Sequence, residues 1–231
     1  MTLYHGGKKR IGKEIADSIY TIVHCIEEDS GIKFKGYCEP FCGMLGVYQH
    51  IPELFEDQKP KMKFKAGDIN ESVVKMWKKA QKGWKPPTKC TKKHYIELKN
   101  KGTSSAEKGF IGHVCSYRGI YYSIYFDKAN VNYASKNVSE ISQRVSNVDF
   151  IHGAYTQFGH LKGYIIYCDP PYFSGSRYYD EHKKRLSFDY DAFYDWVEKM
   201  YENNLIFISE RAKIPYTKIK TMRDGEKLFL V

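Results

Sequence analysis

Paired cysteine motifs are missing from this sequence. Six cysteines stand at 25, 38, 42, 90, 115 and 168, with no CxxC and no Cys/His spacing suited to zinc. No apolar run reaches the length of a membrane-spanning helix. The opening residues, MTLYHGGKKRIG, are polar and basic and lack the apolar stretch of a secretory signal. The expectation is a reduced, intracellular, cytoplasmic chain, in a bacterium or in the host of a virus. Acidic residues are scarce: 27 Asp and Glu stand against 37 Lys and Arg, a formal net charge of +10. That balance points to an anionic partner, nucleic acid ahead of a membrane surface. Also missing are GxGxxG, a P-loop lysine followed by Ser or Thr, any internal repeat, and the Pro-Cys order of a cytosine-C5 nucleophile. Oligomeric state is left open between a monomer and a weak dimer.

What is present suits a globular α/β fold. The 231 residues, 42% of them hydrophobic, are enough for one domain carrying an insert. Apolar residues at helical spacing predict a helix over 11–26. GYCEPF predicts a short strand, MLGVYQHIPELF a short helix broken near Pro52, and MKFKAGDIN a strand ending in an acidic turn. The spacing of NESVVKMWKKAQKG predicts a helix capped by Asn70 and stopped by Gly83. DFIHG, GYIIYCD and NLIFISE read as three more strands, with an amphipathic helix, DYDAFYDWVEKMYENN, before the last. Alternation of this kind predicts a mostly parallel sheet, whose ligands bind beyond the carboxyl ends of the strands.

Residues 82–147 interrupt the alternation. Between 82 and 101 seven lysines stand against one glutamate, and SYRGIYYSIYFDKANVNYASKN follows, rich in Tyr and Asn. Lysines interleaved with aromatic and amide side chains suit contacts to phosphates and bases, although a plain solvated face has the same composition. The division expected is therefore a core of 1–81 and 148–231 with a recognition insert at 82–147. Lys85, Lys89, Lys92 and Lys93 are the candidate phosphate contacts. Tyr117, Arg118, Tyr121 and Tyr122 are the candidates to reach bases.

Two stretches carry the chemistry. In CEPFCGMLGV, Glu39 closes a strand, and Gly43 and Gly46 precede a helix. Glycine permits a tight turn or close approach of the backbone to a ligand. Asp68, at the next strand end, is placed to accept hydrogen bonds from ribose hydroxyls; with no GxGxxG and no P-loop lysine, a phosphate-free nucleoside fits better than a nucleotide. The second stretch is YCDPPYFSG, residues 167–175. An exocyclic amine on a nucleobase is a poor nucleophile, because its lone pair is delocalised into the ring. Hydrogen bonds from its two N–H groups to the Asp169 side chain and the Pro170 carbonyl would draw the nitrogen toward tetrahedral geometry. The lone pair then faces an electrophilic methyl group. Pro170 and Pro171 fix the loop and donate no N–H. Tyr172 can stack on a base turned out of the duplex.

These stretches, in this order, resemble the Dam-type, alpha-class DNA adenine-N6 methyltransferases. YHGGKKRIG (4–12) is similar to the family's N-terminal aromatic-x-Gly-Gly-Lys segment, EPFCGMLGV (39–47) to its cofactor motif, GDIN (67–70) to its ribose-binding turn, and DPPY (169–172) to its catalytic motif. LIFISE (205–210) is similar to the strand that follows it. The resemblance implies a Rossmann-like, S-adenosylmethionine-dependent core, an inserted target-recognition segment, double-stranded DNA as partner and no metal. It implies that Tyr4, Gly7 and Lys8 touch the cofactor, and that Glu39, Pro40, Phe41, Cys42 and Gly43 line its pocket. Asp68 and Ile69 would lie at its ribose, and Asp169 between it and the target amine. Leu45 stands where the family usually has a small residue, and HGAY (152–155) lacks the acidic residue many members place there. RNA as substrate, and a non-catalytic DNA-binding module, are the alternatives. A protein-glutamine methyltransferase would normally carry Asn in place of Asp169.

Overall fold

The computed structural model describes residues 7–8, 10–172, 178–179, 185–186 and 188–231. Its seven-stranded sheet is built from β1 (Gly36–Glu39), β2 (Lys63–Asp68), β3 (Val148–His152), β4 (Tyr164–Cys168), β7 (Leu205–Glu210), β8 (Thr217–Thr221) and β9 (Lys227–Leu230). Between them in sequence, β5 (Tyr178–Tyr179) and β6 (Arg185–Leu186) form a separate antiparallel pair. The sheet order is β3-β2-β1-β4-β7-β9-β8. The first five strands in that order are parallel; β9 runs antiparallel to both of its neighbours. This is a Rossmann-like, doubly wound α/β fold. Strand order reverses between β1 and β4, which opens a crevice at their carboxyl ends.

Alternating side chains sort the core onto the two faces. Tyr37, Ile165, Tyr167, Phe207 and Leu228 enter one buried cluster, while Cys38, Ile166, Cys168, Ile206, Ile208 and Phe229 enter the other. Both faces are covered, so the central strands read as continuous apolar runs. The first cluster is covered by α1 (Gly12–Ser30), α3 (Glu71–Gln81) and α6 (Val131–Arg144), the second by α7 (Tyr190–Tyr201). The cap expected at Asn70 forms, and Gly83 at φ 86° follows the end of α3; the Gly31 cap was not foreseen. Asn70 accepts from the N–H of Ser72 at 3.0 Å, and Gly31 ends α1 in the left-handed region at φ 71°.

Pro52 does not break a helix, as the sequence suggested. It sits near the start of α2 (Ile51–Leu54), after a 3-10 turn at Tyr48–His50. A first-turn N–H has no intrahelical partner to lose, so proline is tolerated there.

Within 82–147, α4 (Lys92–Asn100), α5 (Ala106–Val114) and α6 follow α3. A Cβ on Gly109 would lie 2.2 Å from the Ser72 carbonyl, so α5 packs on the first turn of α3 backbone to backbone. Tyr95, Phe110, Ile111, Val138 and Ile141 join the same buried cluster as the sheet. The segment is thus built onto the core rather than hung from it.

Candidate active site

The sequence ends β4 at Cys168, and the next two residues but one are prolines that cannot extend the ladder. Asp169 therefore stands at the crevice mouth. Its Oδ2 lies 2.5 Å from Lys8 Nζ, and its Oδ1 accepts from the Tyr172 hydroxyl at 3.2 Å. Lys8 Nζ also donates to the Tyr172 hydroxyl at 2.7 Å and lies 3.3 Å from Glu226 Oε1. One ammonium thus serves two carboxylates. Lys8 is 4% exposed and Glu226 2%, while the Asp169 side chain keeps 19%. Burial pushes the Asp169 pKa up to about 6; Lys8 opposes the rise and Glu226 adds to it. Glu39, at the end of β1, is also held above the usual carboxylate range by burial. The Tyr37 hydroxyl donates to it at 2.7 Å and opposes the shift.

The neighbouring strand end holds a second carboxylate. Asp68 Oδ2 accepts from the Gly43 N–H at 3.0 Å and Oδ1 from the Asn70 N–H at 2.8 Å. Burial raises its pKa against those two bonds. Each oxygen retains acceptor capacity for a ligand hydroxyl. The turn that brings Gly43 there is tight: Gly43 has φ 46° and Leu45 φ 56°. Trp77 Nε1 donates to the Gly43 carbonyl at 2.9 Å and ties the turn to α3. Beside Asp68, Ile69 is 53% exposed. Phe41 stacks on Tyr155 at 5.6 Å, and Tyr155 lies just past β3. An acceptor pair, an exposed aliphatic side chain and aromatic faces at the carboxyl ends of neighbouring strands suit a ribose and its base.

No protein-family model matches the chain, and no curated protein matches it. Among solved structures it is similar to the rRNA methyltransferase aviRa from Streptomyces viridochromogenes, with TM-score 0.45 and 11% identity over 95% of this chain and 84% of that one. At that TM-score function has to be read from the residues themselves.

The structure brings Lys8, Glu39, Asp169, Pro170, Pro171 and Tyr172 together at the β1/β4 reversal, with Phe41, Gly43, Asp68 and Ile69 alongside. Pro40 is buried, and so is Cys42, whose N–H is already spent on the Gly67 carbonyl at 2.8 Å. The Cys42 side chain belongs to the core. Gly7 is exposed beside Lys8, and Tyr4 lies outside the described residues. Lys85, Lys89, Lys92 and Lys93 are all exposed. Arg118 is exposed too, its guanidinium 5.4 Å from the centre of the half-exposed Tyr117 ring.

Tyr121 and Tyr122 require correction. Both are buried, their rings 4.9 Å apart, and a Cβ on Gly112 would strike each of them. They fill the space left by Gly112 of α5, so neither ring is presented to a base.

Sequence reasoning missed Glu226 altogether, and with it the hairpin that delivers it. Asp224-Gly225 before the apolar KLFL was a readable turn signal, and Gly225 adopts φ 84°. Tyr37 and Tyr155 were missed as well, because only the sheet register places them beside the motif residues.

Proposed function

We propose that this chain is an S-adenosylmethionine-dependent methyltransferase that methylates N6 of adenine in double-stranded DNA, on a base turned out of the helix. The observation that carries the reading is Asp169: a carboxylate held at the crevice mouth, followed directly by the Pro170 carbonyl. The two acceptors suit the two N–H groups of one exocyclic amine. The cofactor would supply a methyl group activated on a sulfonium. Asp68 would hold its ribose hydroxyls, and Phe41, Ile69 and Tyr155 would flank its base.

Hydrogen bonding to Asp169 and Pro170 localises the amine lone pair. Asp169 must be ionised to accept in this way, and it is then placed to take the proton the amine sheds. Burial strengthens these contacts by excluding water. The exposed lysines of 82–101 and the net charge of +10 support a polyanionic substrate.

Transfer of a tritiated methyl group to double-stranded DNA, with RNA and protein in parallel, tests the reading. Label in DNA, released as N6-methyladenine on digestion, is the expected result. Label confined to RNA or protein, or no transfer, overturns it.

A further inference from the structure

Glu226 has no part in the chemistry just described, yet it faces the same ammonium as Asp169. In this structure both Asp169 oxygens already accept hydrogen bonds from the chain, Oδ2 from Lys8 and Oδ1 from Tyr172. Each oxygen keeps a further acceptor position, but a carboxylate engaged by an ammonium at 2.5 Å is a weaker acceptor for a target amine, and it strengthens when Lys8 withdraws. The Lys8 backbone is fixed. Its carbonyl accepts from the N–H of Ile11 at 3.0 Å and of Gly12 at 2.6 Å, capping α1. Gly46 packs against its other side, where a Cβ would come 2.8 Å from the Lys8 nitrogen. Only the side chain is left to turn.

A buried ammonium drawn off its carboxylate needs another counter-charge, because a lone buried charge costs several kcal/mol. Glu226 Oε1 is already 3.3 Å away, carried in on the turn before β9. We propose that Glu226 is a positioning residue that receives the Lys8 ammonium when the target amine engages Asp169. Lys8 then guards the carboxylate until substrate arrives, and Glu226 makes its withdrawal affordable. This handover rests on the proposed methyl transfer. It also accounts for a buried acid in a hairpin whose own backbone needs none there.

The groups acting on Asp169 are Lys8, Glu226 and Tyr172. Tyr167, Cys168 and Glu39 complete its surroundings. Glu226 raises the Asp169 pKa and Lys8 lowers it. Glu226→Gln removes the first effect and leaves Lys8 to Asp169 alone, so both changes act downward. In the full-length chain, the ¹³C carboxyl titration of Asp169 should therefore move below its wild-type position of about 6. The acid limb of the rate profile should move with it. At pH 8, kcat for DNA methylation should fall by about tenfold with S-adenosylmethionine affinity unchanged, and Glu226→Asp should restore part of it. In a Lys8→Gln background Glu226→Gln should cost no further kcat at pH 8, and that doubly neutral pair also serves if the single variant folds poorly.

A static ion pair that merely anchors the hairpin also lets the acid limb move, because Glu226 acts on Asp169 through charge alone, but it predicts a lower melting temperature with kcat at pH 8 unchanged. That outcome in an active wild-type background overturns the handover and leaves the proposed activity standing. A wild-type chain that methylates no DNA overturns the activity, and the handover with it.

Discussion

Asp169→Ala removes the carboxylate proposed to accept from the target amine and leaves the Pro170 carbonyl, and its effect can be worked from the site. The lost contact is a charge-assisted acceptor in a water-poor crevice, with its side chain 19% exposed. Deleting one positioned transition-state partner of this kind costs about 100- to 1000-fold in kcat, about 2.7–4 kcal/mol. Folding should tolerate the change. The deleted carboxylate is one whose charge burial disfavours, as its pKa of about 6 shows, and Lys8 keeps Glu226 at 3.3 Å. The wild-type rate should rise with pH through about 6, as Asp169 loses its proton and becomes an acceptor, and level off above. The residual rate of the variant should lack that limb. Methyl transfer to DNA, measured across pH with a melting curve for each protein, checks all three expectations. A folded Asp169→Ala chain that keeps a tenth or more of the wild-type kcat refutes the assignment.

Asp68→Ala should weaken S-adenosylmethionine binding by roughly 1.5–3 kcal/mol, the range for hydrogen bonds to a charged group; unchanged affinity by calorimetry would mean the pocket lies elsewhere. Leu45→Gly relieves a left-handed backbone at φ 56° but empties a fully buried site. Relief of about 1 kcal/mol against a loss of about 2–5 predicts net destabilisation, and a raised melting temperature would contradict the packing account. Neutralising any one of Lys85, Lys89, Lys92 or Lys93 should reduce the salt slope of DNA binding by roughly 0.9 on every sequence; four unchanged slopes would remove this face from the interface. Arg118→Ala should cost about 1–3 kcal/mol on the target sequence and much less on a scrambled duplex, and full retained discrimination would return Arg118 to a packing role.

Much of the fold was legible because local rules and tertiary packing agree. Asn70 before an apolar period of 3.6 is a cap, and it caps α3. The unbroken apolar runs at β4 and β7 read as strands buried on both faces, and they are. The insert was read less well. Its composition signalled nucleic acid, but α4, α5 and α6 went unread, and Tyr121 and Tyr122 were assigned outward by residue type alone. Their direction depends on Gly112, whose missing side chain opens the space they fill. The C-terminal hairpin was missed because β8, with exposed and half-exposed residues throughout, has no apolar face to announce it.

The sequence by itself determined the strand-and-helix alternation, the acidic residues at the strand ends and the DPPY loop. Each of these depends on residues close in the chain: a cap, a period, a proline that cannot extend a ladder. Only the tertiary structure decided which of those ends meet. Glu39 and Asp169 are 130 positions apart in the numbering, and they become neighbours because β1 pairs with β4. Lys8 and Glu226 lie at opposite ends of the described chain and share one buried ion cluster. No local pattern encodes that pairing. It follows from β9 inserting beside β7, a long-range contact paid for by the apolar residues of the strands and not by the charges it delivers.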